Sequence, residues 1–319
     1  MNSPEAIPLY LDCDTGIDDA LALAYLLAEP AVRIVGIGTV SGNVSAERAA
    51  SNTLALLELA GRTDIPVAVG ATDPLHGTFH GGAPQVHGKD GVGGIGLVPE
   101  TSAVVAASAV DLLRDLADEW SGQLHVLAVG PLTNLARFAS THPESVSNIA
   151  DVVVMGGAFD RRGNVSETAE ANIHNDPEAA AATFEAEWPI TIVPLDITMD
   201  HALTEADARQ IEAIQGSLPP QLAAMLATYL DYYEQGVFGI RQCALHDPLA
   251  AIIAADAAEV LREDQPAAVR VETEGEHRGR TVAVSDVALA SSHDRRIVLE
   301  IAHPAAATLI TALRSYDWP

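Results

Sequence analysis

The chain has 319 residues, of which 48% are hydrophobic, and its formal net charge is −27. A chain of this length and composition can bury a large core, which excludes a disordered protein. The negative charge argues against nucleic-acid or anionic-membrane partners, because contacts with phosphate groups need a basic face. No apolar run is long and uncharged enough to span a bilayer, and the first residues lack a secretory signal, so we expect a cytoplasmic protein.

Strand-like and helix-like segments alternate along most of the chain. The predicted strands are apolar runs at residues 7–11, 33–40, 67–69, 124–129, 152–155 and 190–193. The predicted helices lie between them, at residues 19–27 and 45–60, around 103–120 and from 131. This pattern predicts an α/β fold, an open and mainly parallel sheet with helices on both faces. Later runs at residues 268–273, 280–284 and 297–301 predict a small antiparallel extension, and the lack of a linker predicts a single domain over residues 1–319.

Two long polar segments, residues 72–100 and 156–175, interrupt this pattern. Segments of this length without secondary structure often serve as binding loops or lids. The first is rich in glycine and carries three histidines, so we expect it to close over a substrate, with a surface loop of no function as the alternative.

An acidic cluster follows the first predicted strand directly. Its members are Asp12, Asp14, Asp18 and Asp19. They lie at the carboxyl end of a strand and the start of a helix, where open α/β sheets bind ligands. Carboxylates this close repel one another unless a cation joins them or some are protonated. Oxygen ligands alone favour a hard cation, Ca²⁺ or Mg²⁺. Cys13, inside the cluster, is interpreted as a small buried filler.

Helix capping, an EF-hand loop and aspartyl-phosphate chemistry each fit the cluster less well than a cation site. Capping suits the last two acids but not the first two. An EF-hand loop counted from Asp12 would need glycine where the chain has Ile17. An aspartyl-phosphate enzyme would usually need a lysine beside the phosphoryl group, and the chain has only Lys89.

More groups follow the other predicted strand ends, at Asn43, the pair Gly130–Pro131, Asn164, Glu170, Asn172 and Asp176, and His246 and Asp247 begin a late helix. If the strands are neighbours, these residues face one crevice beside the acidic cluster. Amides and carboxylates without basic residues suit a neutral polyhydroxylated ligand, such as a sugar with vicinal hydroxyls. A lone asparagine is usually a turn residue, so the shared position carries this argument.

With these motifs the chain resembles the inosine-uridine preferring nucleoside hydrolases. The resemblance spans roughly residues 7–255 and rests on motifs in family order, at residues 12–20, 41–43, 87–91, 130–134, 155–157, 170–172, 176–180 and 246–250. It implies a Rossmann-like nucleoside hydrolase fold and calcium-dependent hydrolysis of the N-glycosidic bond of ribonucleosides, which releases the nucleobase and ribose.

The resemblance also implies roles for individual residues. The Ca²⁺ ligands would be Asp12, Asp14, Asp19, Asp247 and the backbone carbonyl of Val129. Asp14 would also be the general base on the attacking water, and His246 the general acid at the leaving base. The substrate residues would be Asp18 and Asn43 at the 2′- and 3′-hydroxyls, Asn164, Glu170 and Asn172 on the 5′ side, and Met155, His87 and Tyr233.

The chain departs from the family pattern at two places. Many members have threonine at Val129, a change that a carbonyl ligand tolerates. Many have an aromatic residue at Ala171, so packing against the nucleoside must come from elsewhere. Tyr229, Tyr232 and Tyr233 could line the base pocket, or they could belong to the core or to an interface.

Three other functions stay open at this point. The chain could hydrolyse another N-riboside, such as nicotinamide riboside or a modified nucleoside, or bind ribonucleosides without catalysis, or be a Mg²⁺-dependent phosphatase. The position of His246 favours a tolerant or pyrimidine-preferring enzyme. The expected partner is a small ribonucleoside, not nucleic acid or membrane, and the resemblance implies a homodimer or homotetramer.

Overall fold

A computed structural model describes residues 6–284 and 294–319 of the chain. Its twelve described strands are β1 Ile7–Cys13, β2 Val32–Thr39, β3 Val67–Val69, β4 Leu124–Ala128, β5 Ile149–Met155, β6 Ile190–Val193, β7 Ala202–Thr204, β8 Gln242–Ala244, β9 Leu261–Pro266, β10 Ala268–Val271, β11 Thr281–Val284 and β12 Arg295–Ile301. Eight of them form one sheet in the order β3-β2-β1-β4-β5-β6-β12-β9. Neighbours in this sheet are parallel, except that β9 runs antiparallel to β12.

Helices cover both faces of the sheet. The described α-helices are α1 Ile17–Ala28, α2 Ala46–Leu59, α3 Pro84–His87, α4 Ala109–Glu119, α5 Thr133–Thr141, α6 Ala171–Asn175, α7 Pro177–Glu185, α8 Leu195–Thr198, α9 Glu205–Glu212, α10 Leu218–Tyr233, α11 His246–Val260 and α12 Ala305–Ser315. Residues Pro143–Asn148 form a 3₁₀-helix and Glu234–Phe238 a π-helix. Two apolar cores result, one with α1, α10, α11 and α12 and the other with α4, α5 and α7. The predicted α/β fold is therefore confirmed. Among the described helices, none is both long and apolar enough to cross a membrane.

The apolar character of β1 and α1 places the acidic cluster. From Pro8 onward β1 is buried on both faces, and every residue of α1 is buried. A helix that is apolar all round is stable only inside a protein, and α1 packs against α11 and the sheet. The turn between β1 and α1 is therefore held inside the molecule, at the carboxyl edge of the sheet.

The C-terminal strands differ in arrangement from the prediction. Strand β12 does not extend the small antiparallel sheet but joins the main sheet, parallel to β6. The antiparallel extension is the pair β10–β11. The pattern did not indicate β9, because its sequence is polar and exposed and it is an edge strand. The pair β7–β8 was also missed, since its strands have three residues each.

The predicted helix around residues 103–120 begins only at Ala109. Ser108 caps it by accepting a hydrogen bond from the Asp111 N–H at 3.1 Å. Before the cap the chain has no regular secondary structure, and the Val105 N–H donates to the Val67 carbonyl of β3 at 2.8 Å. The helix therefore starts later than its apolar pattern suggested.

Carboxylates hold the long segment of residues 72–100 at several points. Glu58 accepts the N–H groups of Glu100, Thr101 and Ser102 at 2.6–2.8 Å. Asp90 accepts three more N–H groups within its own turn. These bonds fix the end of the segment against α2 and shape the turn that follows α3, while closure over a substrate stays a prediction.

Candidate active site

Five buried aspartates meet at the carboxyl edge of the sheet: Asp12, Asp14, Asp18, Asp19 and Asp247, each 1–6% exposed. The first four come from the end of β1 and the start of α1, and the fifth from the first turn of α11. One carboxylate oxygen from each of Asp18, Asp19 and Asp247 lies within 4.8 Å of the other two. The structure thus brings together acids that are far apart in sequence, as expected for a cation site.

Asp12 stands slightly apart from this triad. Its oxygens accept hydrogen bonds from Asn134 Nδ2, at 3.0 and 3.2 Å, and from the Tyr10 hydroxyl at 3.1 Å. Burial raises the pKa of Asp12 to about 7. The motifs predict Asp12 among the ligands and Asp18 on the sugar, whereas the geometry puts Asp18 in the tight group of three.

Asp14 is held by the loop after β2. Its carboxylate accepts the backbone N–H of Asn43 at 2.6 Å and the Asn43 side-chain amide at 3.3 Å. A Cβ on Gly42 would lie 2.0 Å from Asp14 Oδ2, so only glycine leaves room for this carboxylate. Burial, and then the nearby charge of Asp19, raise the pKa of Asp14 well above its usual value.

Asp19 caps the start of α1. It accepts the N–H of Gly16 at 2.7 Å and of Asp14 at 3.2 Å, and the Asn43 amide at 3.3 Å. Capping therefore accounts for part of its position, yet its pKa is raised to about 7 by burial and by Asp18. Asp247 also has a raised pKa, from burial and then from Asp18 and Asp19.

Asp18 has one satisfied oxygen and one without a partner. Oδ2 accepts the Tyr229 hydroxyl at 2.9 Å, whereas the buried Oδ1 has no hydrogen bond to any described residue. His87 Nδ1 lies 3.8 Å from Oδ1, but it accepts the Ile17 N–H at 3.1 Å and so carries no proton there. Burial lowers the pKa of His87, so this approach is not an ion pair.

The charge of this cluster is not compensated by the described protein groups. Among the side-chain hydrogen bonds of the described residues, none joins a lysine or arginine to any of the five aspartates. Carboxylates in this situation either take up protons or bind a cation. The unpartnered Asp18 oxygen and the all-oxygen donor set fit a hard cation.

Glu170 and Asn172 form a second polar wall next to the cluster. Glu170, 1% exposed, accepts the N–H groups of Gly157, Asn172 and Ile173 at 2.9–3.1 Å, and burial raises its pKa to about 7. Asn172 Nδ2 donates to the carbonyls of Val129, at 2.8 Å, and Met155, at 3.1 Å. These predicted residues therefore lie together.

Asn164 is a predicted site residue that the structure does not join to this wall. It lies in the exposed part of the segment after β5, and its side chain makes no hydrogen bond to a described residue. Its role on the 5′ side stays a prediction.

His246, at the first position of α11, lies in an aromatic pocket and is 5% exposed. Its Nδ1 is 2.7 Å from the Thr198 hydroxyl, and its Nε2 is 2.7 Å from the Tyr233 hydroxyl. Burial lowers the pKa of His246 to about 4, so the ring is neutral at pH 7. A neutral ring between two hydroxyls carries one N–H donor, and these contacts set which nitrogen holds it.

The tyrosines of α10 differ in their surroundings. Tyr229 and Tyr233 are buried and face the site, where they contact Asp18 and His246. Tyr232 is half-buried and packs edge-on against Tyr233, with ring centroids 5.4 Å apart. Phe238 also stacks on Tyr233, with ring centroids 5.5 Å apart. Thr198 was not predicted as a site residue. Its hydrogen-bond partner, His246, lies 48 positions further along the chain, so no local sequence pattern indicates the contact.

A parallel sheet with a buried acidic crevice at its carboxyl edge, walled by amides and aromatic rings, is the architecture of an α/β enzyme that acts on a small ligand. Comparison with known proteins specifies the class. Residues 9–308 match the family model described as inosine-uridine preferring nucleoside hydrolase.

Named relatives and a solved structure of similar sequence carry the names of the same class of enzyme. Uridine nucleosidase 1 of Arabidopsis thaliana is 37% identical over 86% of this chain and 81% of its own length. The pyrimidine-specific ribonucleoside hydrolase RihA of Shewanella woodyi is 38% identical over 86% and 87%. The purine-preferring ribonucleoside hydrolase from Gardnerella vaginalis superposes with a TM-score of 0.91, at 31% identity over 97% of this chain and 98% of that one.

The chain therefore belongs to the inosine-uridine preferring nucleoside hydrolase family. The resemblance expected from the motifs is confirmed, and so is the expectation that the protein is a nucleoside hydrolase.

Proposed function

We propose that this protein hydrolyses ribonucleosides, uridine among them, in a calcium-dependent reaction that releases the nucleobase and ribose. The observation that carries the proposal is the buried group of aspartates around the unpartnered Oδ1 of Asp18. Nucleosidases that act on uridine or other pyrimidine ribonucleosides are among the relatives of this chain, which supports the substrate class.

Asp12, Asp14, Asp19, Asp247 and the Val129 carbonyl would hold Ca²⁺, with Asp18 beside them. The bound ion would orient the 2′- and 3′-hydroxyls of the ribose and lower the pKa of a water molecule. Asp14 would take the proton of this water, because its carboxylate is fixed beside the other aspartates by two hydrogen bonds from Asn43. The need for the 2′-hydroxyl favours ribonucleosides over deoxyribonucleosides.

The sugar becomes positively charged as the N-glycosidic bond breaks, as in other glycoside cleavages. Asp18 and Asn43 bind the 2′- and 3′-hydroxyls, while Glu170 and Asn172 hold the 5′ side, with Met155 beneath. Their carboxylates and amides surround the ring with negative and dipolar groups in a buried site, where such interactions are strong.

The leaving base lies on the side of His246, Tyr233 and His87. The low pKa of His246 means that it donates a hydrogen bond as a neutral ring rather than as an imidazolium. The Tyr233 hydroxyl, 2.7 Å from His246 Nε2, is a second donor on this side, and the two groups hydrogen-bond the base as it leaves; the base then takes its proton from solvent water.

The test is product analysis with uridine, cytidine, inosine, adenosine, 2′-deoxyuridine and nicotinamide riboside, with and without a calcium chelator. We expect free base and ribose from uridine, loss of turnover with chelator and recovery on adding Ca²⁺. Turnover confined to nicotinamide riboside would move the substrate to another N-riboside. Binding of uridine without any release of base would overturn the proposed reaction.

A further inference from the structure

The antiparallel pair β10–β11 lies against the segment that carries Glu170, although no sequence motif links the two. An isolated antiparallel bridge pairs Arg280 with Ala169, the residue directly before Glu170. Gly279, with φ +90°, approaches this segment so closely that a Cβ on it would lie 3.0 Å from the Ala169 Cβ. The extension therefore touches the backbone next to a substrate residue.

Thr281, the first residue of β11, makes the most specific of these contacts. It is 3% exposed, and its hydroxyl donates to the Ala158 carbonyl at 2.8 Å and accepts the Ala158 N–H at 3.0 Å. One side chain thus satisfies both backbone groups of a buried loop residue. These two bonds fix the orientation of the peptide planes on either side of Ala158.

Gly157, next to Ala158, donates its N–H to Glu170 Oε2 at 3.1 Å. Gly157 has a φ of +90°, and a Cβ on it would lie 3.2 Å from the Thr281 hydroxyl. Thr281 consequently acts on Glu170 through Gly157: it holds the peptide unit after the Gly157 Cα, and Glu170 accepts from the unit before it, so a shift of the loop would move this donor.

A third contact fixes the far side of Glu170. Arg278, in the turn between β10 and β11, pairs with both carboxylate oxygens of Glu178 in the first turn of α7, with an Nη2–Oε2 distance of 2.8 Å. The β10–β11 pair therefore contacts the chain at three places around Glu170: at Ala158 before it, at Ala169 directly next to it and at Glu178 after it.

We infer that Thr281 is a positioning residue, which sets Glu170 for the 5′-hydroxyl of the ribose and makes β10–β11 part of the substrate-selecting structure. The inference rests on the proposed function, in which Glu170 binds the 5′ side. A residue that only stabilised the fold would affect all substrates alike, whereas this role affects substrates that carry the 5′-hydroxyl.

The test compares uridine with 5′-deoxyuridine, which lacks the group that Glu170 would bind. The variants are Thr281→Val, which keeps the shape but removes both hydrogen bonds, and Thr281→Ser, which keeps the hydroxyl. For Thr281→Val we expect kcat/KM to fall about tenfold with uridine and little with 5′-deoxyuridine. Thr281→Ser should behave as the wild type with both.

An equal fall with both substrates, or no fall with uridine, would overturn the inference. If Thr281→Val does not fold, Arg278→Gln must show the same uridine-selective loss, or the inference is wrong. A wild-type enzyme that hydrolyses both substrates equally well also contradicts it, while a wild type that hydrolyses neither contradicts the proposed function instead.

Discussion

Asp14 combines burial among other carboxylates with a fixed orientation of its own carboxylate. It is 1% exposed among other carboxylates, and it is held by two hydrogen bonds from the same residue, Asn43. The first property makes its charged form costly, and the second keeps its oxygens in one orientation. A group with these properties suits proton transfer better than structural support.

Replacing Asp14 with asparagine should therefore separate activity from stability. We expect Asp14→Asn to lower kcat with uridine by about a thousandfold, the scale of general-base catalysis. The metal-free variant should unfold at the same or a higher temperature than the wild type, because one of the repelling carboxylates is gone. Initial rates and thermal unfolding measure the two effects.

Asp118→Asn is a suitable control, since Asp118 is exposed and binds Ser145 and Asn148 away from the site. It should leave the rate unchanged. Unaltered turnover in Asp14→Asn would mean that another group activates the water.

Among individual residues, the sequence predicts those that form a group of neighbours along the chain. The acids of residues 12–19 stand out because their repulsion needs an explanation wherever the chain folds. The pairing of Thr198 with His246 could not be predicted, because it depends on how α8 and α11 meet. The neutral state of His246 likewise follows from burial, which the sequence alone does not report.

Among the elements, the π-helix Glu234–Phe238 has few apolar contacts and lies beside a cluster of charged side chains. It follows α10 directly and none of its residues is buried. Arg241 holds it by hydrogen bonds to Asp231, to Glu234 at 3.0 Å and to Glu205 of α9 at 3.1 Å. Phe238, the last residue of the π-helix, stacks on Tyr233, so the hydrogen bonds of Arg241 also support the pocket around His246.

We expect Arg241→Ala to increase amide hydrogen exchange in residues 234–238 about tenfold, since a shared network contributes more than an isolated exposed pair. KM for uridine should rise more than kcat falls, because the pocket wall loosens while Asp14 is untouched. Hydrogen-exchange mass spectrometry and steady-state kinetics give these readouts.

Arg62→Ala breaks an exposed arginine–aspartate pair with Asp64 far from the site and serves as the matched control. Equal exchange in both variants would show that Arg241 does not hold the π-helix.

The sequence predicts most strands and helices, but not every strand pairing or the residue at which each element begins. The apolar runs of β1 to β6 were predicted as strands of a mainly parallel sheet, but their order in the sheet was not predicted. The placement of β12 was not predicted either, because the same run can pair with β6 or with β11 and only tertiary packing selects. The late start of α4 depends on a contact of Val105 with β3, which no local pattern contains.

For the whole molecule, the carboxylates of the site and the net charge of −27 both destabilise the folded state when they are ionised, because like charges repel one another. The pKa values of Asp12, Asp19 and Glu170 are raised to about 7 by folding, so the folded state binds more protons than the unfolded state between about pH 4 and 7. Their contribution to stability is present below pH 4 and is lost as the pH rises through 7. His246 opposes this between pH 4 and 6.5, because its pKa is lowered.

The metal-free protein should therefore unfold at a lower temperature at pH 7.5 than at pH 5.5, since three carboxylates outweigh one histidine. Adding Ca²⁺ should raise the unfolding temperature more at pH 7.5 than at pH 5.5, and binding at pH 7 should release protons. Differential scanning calorimetry, and titration calorimetry in buffers of different ionisation enthalpy, measure both effects.

Sodium chloride at matched ionic strength is the control for screening of the surface charge. The same unfolding temperature with either salt at pH 7.5 would contradict a specific cation site.

The distance along the chain between the first aspartates and Asp247 has a consequence for biosynthesis. The turn after β1 leaves the ribosome early, but its counterpart at the start of α11 follows only after most of the chain has been made. Until then the nascent acidic turn has no complete ligand set, and its mutual repulsion opposes early docking of α1. A cation bound by the complete set would join the end of β1 to the start of α11 as a removable cross-link, so we expect chelation to slow refolding as well as to stop turnover.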